Sequence, residues 1–392
     1  MRSLSILRSL VGFDTTSRDP NRELIAYVCD YLRTFDIEPV LIWNDARTKA
    51  NLWATIGPPD MPGIILSGHT DVVPVDGQDW SSDPFSLAER DGRLFGRGCA
   101  DMKGFLAAVL SALPRMCDGP LASPFHLAFS YDEEIGCNGV LSLIEHVRRL
   151  DVKPKLCLVG EPTKMRPVIG HKGGRAYRVK VRGKEAHSSL APRAVNAIEY
   201  AAELIQFLSS VAREMAKTGP RDDAFDIAHS TLQTGMVHGG IAINVVPRDC
   251  EFVFEFRYLA ETDPDGIMAK IREFASRELE PRMRMAASEA GVSFEPVYSY
   301  PALETPRDEV GVEFVKKLLG RSNDSKVAFG TEGGLFSALG IPTVVCGPGS
   351  IVEAHKPDEF VSIEQITRCE AFLARLTAVA SRGVHSALEG QL

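Results

Sequence analysis

The sequence lacks the features that mark membrane, nucleic-acid-binding and secreted proteins. No apolar run in its 392 residues approaches the length that spans a bilayer. The formal net charge is -8 and no useful tract of lysine and arginine occurs, which disfavours a nucleic-acid partner. Residues 1–8 lack the long apolar core and the cleavage-like tripeptide of a secretion signal. We therefore expect a cytoplasmic protein that binds neither membranes nor nucleic acid.

Cysteine is present, but it forms no pattern typical of a zinc knuckle or a redox motif. The eight cysteines are scattered, and no Cys-x-x-Cys pair occurs. Most of them have apolar or small neighbours, which favours reduced thiols in the core. Hydrophobic residues make up 44% of the chain and charged residues 24%, as in an ordinary globular enzyme, and the length allows two or three domains.

The first half of the chain alternates short apolar strands with helices. A helix is predicted to begin at Pro20 with Asp19 as its cap. Strands are then predicted at 51–57, 64–69, 126–131 and 156–160, and helices at 105–116 and 140–150. This alternation predicts an α/β sandwich with buried strands, in which ligands bind beyond the carboxyl ends of the strands.

The middle of the chain predicts an inserted α+β domain. We expect strands at 177–181, 231–237, 250–258 and 292–298. Helices are expected at 193–211, between the first and second strands, and at 265–290, between the third and fourth. This order is the ferredoxin-like plan, and it assigns residues 175–300 to an insert within a catalytic domain of residues 1–174 and 301–392. Glycines at 170, 173 and 174 favour a hinge at the boundary. The α/β pattern then resumes with strands at 327–330 and 343–346 and helices at 335–339 and 363–381.

Five residues at or just past the ends of apolar runs are candidate metal ligands. They are His69, Asp101, Glu134, Glu161 and His355. Two imidazoles and three carboxylates suit two divalent ions that share one bridging carboxylate, and a set without thiolates is typical of catalytic zinc. Such a metal pair can activate water against an amide bond. Each residue taken singly also has a purely structural explanation, so the hypothesis depends on the whole set.

Asp71 lies two residues from His69. In a strand the two side chains share a face, so the carboxylate can accept a hydrogen bond from the imidazole and raise its basicity as a ligand. The alternative is an aspartate that caps a turn.

Three motifs together resemble those of a known enzyme family. They are Ser67 to Asp71, Gly98 to Gly104, and Asp132 to Gly136. Their combination resembles the co-catalytic zinc amidohydrolases, which include acetylornithine deacetylases, succinyl-diaminopimelate desuccinylases, aminoacylases and related carboxypeptidases. The resemblance covers nearly the whole chain and implies a metallopeptidase-type catalytic domain with an inserted ferredoxin-like lid that also dimerises. Residues 329–334 and 346–350 most resemble the acetylornithine deacetylases.

The resemblance implies an activity and a cofactor. We expect a homodimer that hydrolyses the N-acetyl amide of N2-acetyl-L-ornithine to L-ornithine and acetate, a step of arginine biosynthesis, using two zinc or cobalt ions. Related substrates remain open: those of acetylcitrulline deacetylase, succinyl-diaminopimelate desuccinylase, a broader aminoacylase or a dipeptidase. A metal-stabilised binding protein without catalysis and a dimerisation scaffold are the alternatives outside enzymology.

The resemblance also assigns roles to the candidate ligands and to the base. Asp101 bridges both metals, His69 with Glu161 completes one site, and Glu134 with His355 completes the other. Glu133 is the general base, for which the alternative is a solvated acidic turn. The peptide bond after Asp101 is implied to be cis.

Four further residues are candidates for contact with the substrate. By resemblance His187 stabilises the oxyanion, often across a dimer, and Asn244 and Arg257 contact the substrate, Arg257 through a bidentate grip on the α-carboxylate. The position of Glu332 close to the metal loops suggests an acidic partner for the ornithine ammonium. A loop histidine, a surface ion pair and a helix-terminal glutamate are the respective alternatives for His187, Arg257 and Glu332.

Overall fold

A computed structural model describes residues 2–384 of the chain, so Met1 and residues 385–392, the end of the predicted catalytic domain, lie outside the described part. The helices, numbered in chain order, are α1 Arg2–Val11, α2 Arg22–Arg33, α3 Lys103–Met116, α4 Val140–Arg148, α5 Ala197–Thr218, α6 Pro264–Phe274, α7 Glu280–Ala286, α8 Val310–Leu319, α9 Gly333–Ser337 and α10 Ile363–Ala380. A 3₁₀ segment covers Ser188–Arg193, and a π-helical turn covers Ala275–Leu279. Within residues 2–384, no helix is both long enough and apolar enough to cross a bilayer.

The strands are likewise numbered in chain order. They are β1 Val40–Trp43, β2 Ala50–Ile56, β3 Ile64–His69, β4 Ala88–Arg90, β5 Arg93–Phe95, β6 Phe125–Ser130, β7 Leu156–Pro162, β8 Val168–His171, β9 Gly173–Arg182, β10 Thr231–Gly239, β11 Asp249–Tyr258, β12 Gly291–Tyr300, β13 Leu303–Glu304, β14 Ser325–Val327, β15 Thr343–Gly347 and β16 Phe360–Ser362. The α/β fold class predicted from the sequence is confirmed.

The chain divides into two compact units. The first is formed by the described parts of Met1–His171 and Leu303–Leu392, and the second by Lys172–Ala302. Each unit has its own apolar core. The catalytic and lid roles of the two units stay predictions.

The first unit is built on a large mixed sheet with helices packed against it. Its strand order is β1-β2-β6-β3-β7-β15-β8-β13, with β14 beside β8. The central strands β6, β3, β7 and β15 are parallel neighbours and are buried along their whole length. Burial on both faces explains why these strands are continuous apolar runs rather than alternating patterns. Because they are parallel, their carboxyl ends meet at one edge of the sheet, where a ligand site is expected.

The second unit is a four-stranded antiparallel sheet with helices on one face. The strand order β10-β11-β9-β12 is the one that the β-α-β-β-α-β plan produces. Alternate residues of β11 are buried, including Phe252, Phe254 and Phe256, and belong to the core with Leu204 and Leu208 of α5. This period of two is the pattern of a sheet with one covered face.

Several predicted helix boundaries are wrong, and two of them have a local reason. The helix expected at 193–211 starts at Ala197, because the Asn196 side chain accepts hydrogen bonds from the first turn. The helix expected at 265–290 contains a π-helical turn just before Pro281, which lacks the N–H that a regular helix would use, and ends at Ala286. The helix expected from Pro20 begins at Arg22 instead.

Two further expectations near these positions also fail. Asp19 does not cap α2, which follows Asn21; that side chain is used to bind Ala50 of β2 and Thr70. The strand expected at 327–330 begins two residues earlier and ends three residues earlier, at Ser325–Val327, where it pairs in parallel with β8.

Candidate metal centre

Asp101 lies between the two candidate imidazole ligands in the first unit. Its Oδ1 is 3.0 Å from His69 Nε2, and its Oδ2 is 3.1 Å from His355 Nε2. One carboxylate therefore faces two histidines that are 286 positions apart in the chain. This is the arrangement expected of a carboxylate shared by two ions.

A second carboxylate accompanies each histidine. Glu161 Oε1 lies 3.6 Å from His69 Nε2, and Glu134 Oε2 lies 3.0 Å from His355 Nε2. Glu133 also belongs to the cluster, since its carboxylate is grouped with His69 and Glu161 within 4.8 Å. The structure thus brings together all five predicted ligands and the predicted base.

Each ligand is presented by a strand end or by the loop after it. His69 is the last residue of β3, and Glu161 lies near the end of β7. Glu133 and Glu134 are in the turn after β6. In this turn Asp132 has a positive φ of 56°, and its carboxylate accepts a hydrogen bond from Lys49 Nζ at 2.6 Å. A left-handed backbone is uncommon outside glycine, so this turn is strongly determined by its surroundings.

Asp101 and His355 come from longer loops. Asp101 precedes α3, and its peptide bond to Met102 is cis, as the resemblance implies. His355 follows β15 at some distance and also has a positive φ, 63°. Its side chain is 48% exposed, whereas that of Asp101 is 5% exposed. The half of the cluster that contains His355 is therefore the half open to solvent.

Asp71 fixes the turn of Glu133 and Glu134 to the end of β3. Its two carboxylate oxygens accept hydrogen bonds from the backbone N–H groups of Glu133 and Glu134, at 3.1 and 3.3 Å, and from Ser17 Oγ at 2.7 Å. The contact with His69 differs from the prediction. The imidazole Nδ1 is 2.9 Å from the backbone carbonyl of Asp71 and 3.6 Å from its carboxylate, so the carbonyl is the hydrogen-bond acceptor.

The charges of the cluster call for cations. Burial, with added repulsion from Asp101, raises the pKa of Glu134 to about 7, and burial raises the pKa of Glu133 and of Glu161 well above the usual value. Hydrogen bonds to Asp101 and Glu134 raise the pKa of His355 to about 10. Four buried carboxylates face only two imidazoles, and divalent ions would relieve this excess of negative charge.

The donor set also fits a metal pair chemically. Nitrogen and oxygen donors without thiolate are typical of catalytic zinc, and they equally suit neighbouring first-row ions. His69 and Glu161 would hold one ion, Glu134 and His355 would hold the other, and Asp101 would contribute an oxygen to each.

Glu332 lies beneath the protein surface. It is fully buried, and its two carboxylate oxygens accept hydrogen bonds from Ser67 Oγ and Ser130 Oγ, both at 2.6 Å. This position differs from the predicted pocket for an ammonium group. The contacts instead connect β3, β6 and the start of α9.

The other predicted substrate residues belong to the second unit. His187 is exposed, and its Nδ1 accepts a hydrogen bond from the Ser189 backbone N–H at 3.2 Å, which leaves the proton of a neutral ring on Nε2. Asn244 is also exposed. It lies close to His187 in space, because the backbone N–H of the next residue, Ser188, donates to the Asn244 carbonyl at 2.9 Å.

Arg257 lies on β11 and already has protein partners. Its Nη1 donates to Tyr300 Oη at 2.8 Å, and its Nη2 is 3.4 Å from the Glu255 carboxylate. The contact with Glu255 is of the kind expected if Arg257 formed only a surface ion pair. The Arg257 side chain is nevertheless one-third exposed.

Sequence reasoning missed several residues that contact the cluster. Cys137 Sγ lies 3.5 Å from the Glu133 carboxylate, and Glu359 accepts a hydrogen bond from the Asp101 backbone N–H at 3.1 Å. Cys137 has no motif of its own, although it follows the acidic turn closely. Glu359 stands four residues after His355, and this proximity is the one signal in the sequence that pointed to it.

Two comparisons with known proteins, one with a family model and one with curated relatives, give the same family. Residues 65–378 match the model of Peptidase family M20/M25/M40. The acetylornithine deacetylase of Proteus mirabilis is 33% identical over 381 residues, which cover 96% of this chain and 94% of that protein. Five further bacterial proteins of the same name are 32% to 34% identical.

Solved structures show the same fold at lower identity. An M20 family metallo-carboxypeptidase from Sulfolobus solfataricus has a TM-score of 0.77 at 20% identity, covering 97% of this chain and 100% of that one. A dinuclear metal binding peptidase from Bacillus subtilis has a TM-score of 0.66 at 17% identity, covering 97% and 98%. The matched residues include all five candidate metal ligands, and this chain is a member of Peptidase family M20/M25/M40, an enzyme of the amidohydrolase and peptidase class.

Proposed function

We propose that this enzyme removes the acetyl group of N2-acetyl-L-ornithine, giving L-ornithine and acetate. The observation that carries the proposal is Asp101 placed between His69 and His355, with Glu161 and Glu134 beside them. The relatives named acetylornithine deacetylase support an N-acyl amino acid as the substrate class, and their name supports the choice of acyl group and amino acid.

Two divalent ions, zinc or cobalt, are proposed for the centre, consistent with the dinuclear relative of known structure. When bound, they would polarise the acyl carbonyl and lower the pKa of a water molecule. Glu133 accepts a proton from the attacking water and delivers it to the departing amine nitrogen. Its place in the cluster beside His69 and Glu161 suits it for both transfers.

The second unit supplies the remaining proposed groups. His187 Nε2–H donates a hydrogen bond to the oxyanion of the tetrahedral intermediate, which its free proton permits. Arg257 and Asn244 bind the carboxylate end of the amino acid. We also propose that the enzyme works as a homodimer in the cytoplasm, in arginine biosynthesis, as the family resemblance implies.

The substrate is tested with a panel of acylated amino acids. Metal-free protein reconstituted with zinc or cobalt is assayed for kcat/KM with N2-acetyl-L-ornithine, acetylcitrulline, succinyl-diaminopimelate and a dipeptide. We expect acetylornithine to give the highest kcat/KM. A higher value for any other member would transfer the assignment to that substrate.

The role of Glu133 is tested by Glu133→Ala. Removing the base should lower kcat by about 10²- to 10⁴-fold while both ions are retained, because Glu133 is proposed to move protons and not to hold metal. Glu145→Ala is the matched control, since Glu145 is a half-exposed glutamate on α4 and should leave kcat unchanged. Turnover near the wild-type rate in Glu133→Ala would refute the base assignment.

A further inference from the structure

A buried ion pair lies behind the loop that presents Asp101. Arg97 and Glu359 are each 1% exposed, and Arg97 Nη1 is 2.7 Å from Glu359 Oε2. The pair is placed by strand register, because β16 pairs with β5 in such a way that Phe360 faces Phe95, with Glu359 just before one strand and Arg97 just after the other. Neither residue belongs to the proposed catalytic mechanism.

Glu359 holds the backbone of the Asp101 loop from behind. Its Oε1 accepts hydrogen bonds from the N–H groups of Ala100 at 2.9 Å and Asp101 at 3.1 Å. Its Oε2 accepts one from Gly98 N–H at 3.0 Å, in addition to the bond from Arg97. A carboxylate with four donors on two oxygens is fully satisfied, and the loop that it binds has little freedom to shift Asp101.

Arg97 continues the connection towards His355. Its Nη2 donates to Gln78 Oε1 at 2.6 Å, and Gln78 Nε2 donates to the backbone carbonyl of His355 at 3.0 Å. The indole Nε1 of Trp80 donates to the same Gln78 oxygen at 3.0 Å, which fixes the orientation of the amide. An unbroken series of hydrogen bonds therefore joins the Asp101 backbone to the His355 backbone through three side chains.

We propose that Glu359, Arg97 and Gln78 form a brace that sets the separation of Asp101 and His355 and so governs retention of the ion held by His355. The three are positioning residues, since they act through the ligands and contact no substrate. His355 needs such support because its side chain is half-exposed and its own backbone is left-handed. His69 and Glu161, which lie in buried strands, do not depend on this brace.

The brace is tested with Gln78→Glu in the full-length protein. This variant keeps the oxygen that accepts from Arg97 and Trp80 but removes the donor to the His355 carbonyl. Gln206→Glu, on the exposed surface of α5, controls for the added charge. Each metal-free protein is titrated with zinc alone against a chromophoric chelator, and the melting temperature of the metal-free form is measured in parallel.

We expect two zinc ions in the wild type and, in Gln78→Glu, a weaker ion whose affinity falls by about 10- to 100-fold, as is typical when the partner of a metal ligand is lost. The tighter ion and the metal-free melting temperature should match those of Gln206→Glu. Unchanged affinities, an equal loss at both sites, or a parallel drop in melting temperature would overturn the proposal.

A double-mutant cycle with His355→Ala identifies the affected ion. If the brace acts through His355, Gln78→Glu should have no further effect on the single ion that His355→Ala retains, whereas additive losses would contradict it. The inference rests on the proposed metal centre but not on its substrate. Fewer than two ions in the wild type would overturn both proposals. A protein inactive on acetylornithine with the expected binding pattern would overturn the substrate alone.

Discussion

At the scale of single residues, the centre depends on the partners of its ligands as well as on the ligands. The Asp71 carboxylate accepts two hydrogen bonds that fix the turn of Glu133 and Glu134 and one from Ser17, while the Asp71 backbone carbonyl orients the His69 ring. Holding the imidazole by its Nδ1 leaves Nε2 for a metal, which is the usual division of labour in such sites. The same Asp71 therefore serves both a ligand and the proposed base.

A substitution of Glu332 distinguishes a structural role for this residue from a role in binding the substrate. Glu332→Gln replaces one acceptor oxygen by an NH₂ donor, which disturbs a buried carboxylate bonded to Ser67 and Ser130. We expect the free energy of unfolding to fall by about 1–3 kcal/mol, with KM for acetylornithine unchanged. Chemical denaturation and steady-state kinetics on the same preparation measure the two effects.

The comparison substrate for this variant is N-acetylnorvaline, which has no side-chain ammonium. A rise in KM for acetylornithine but not for N-acetylnorvaline would instead support the prediction from the sequence that Glu332 binds the ornithine ammonium. Glu145→Gln on the surface of α4 controls for loss of a carboxylate and should change neither quantity.

At the scale of elements, the strands that carry the site were predictable because they are buried on both faces. Residues 64–69 form β3 with the predicted bounds, and 126–131 and 156–160 differ from β6 and β7 by one or two residues at their ends. Short, largely apolar runs that end in glycine or a polar turn give a strong signal, since they are too short for a helix and do not alternate strictly between polar and apolar residues.

Other elements gave no comparable signal. The helix α8 has an apolar face that the sequence analysis did not identify, and α5 extends to Thr218, beyond its predicted end. Packing also requires two of the glycines at the predicted hinge: a Cβ at Gly173 would lie 2.3 Å from the Tyr258 ring, and one at Gly174 would lie 2.5 Å from that of Tyr300. The hinge itself stays a prediction. Contacts between distant residues decide such positions, and a local pattern does not contain them.

The pairing of β2 and β6 makes stability depend on pH through His126. The ring is stacked on Trp53 at 4.9 Å and bonded to Thr55 Oγ1 at 3.0 Å, and burial lowers its pKa to about 4. The unfolded chain takes up a proton below about pH 6.5, so the stability that the neutral ring permits is lost as the pH falls from about 6.5 to about 4. We expect a loss of about 2–3 kcal/mol over that window.

Unfolding free energies measured at several pH values should show this loss in the wild type and a smaller loss in His126→Gln. His238→Gln is the control, because His238 is exposed on β10. The difference between variant and wild type removes contributions from the metal centre. Parallel pH profiles for the wild type and His126→Gln would contradict the assignment to His126.

At the scale of the whole molecule, the sequence was sufficient to predict which residues converge but not what holds them. The ligands lie in local motifs, each recognisable in a few residues. Their supports come from far along the chain: Ser17 bonds Asp71 across 54 positions, and Gln78 bonds His355 across 277. A hydrogen bond between such distant residues leaves no periodicity or spacing to recognise in a single sequence.

Removing the metals should destabilise the first unit. Without cations, Glu133, Glu134 and Glu161 are buried with no ion to offset their charge, and burial together with repulsion from neighbouring carboxylates raises their pKa values. Zinc that binds only the folded state adds about 2.7 kcal/mol at a free concentration of 100 times Kd. Thermal unfolding with a chelator, and after zinc is restored, should show a reversible fall in Tm; equal Tm values would contradict this expectation.

The most direct test of the metal centre is a zinc anomalous-difference map from crystals grown with zinc. We expect two peaks, one on each side of the Asp101 carboxylate at about 2.0–2.2 Å from its oxygens. His69 and Glu161 should contact one peak, and Glu134 and His355 the other. A single peak, or two peaks of which either lies beyond bonding distance of Asp101, would contradict the shared-carboxylate centre on which the proposed hydrolysis depends.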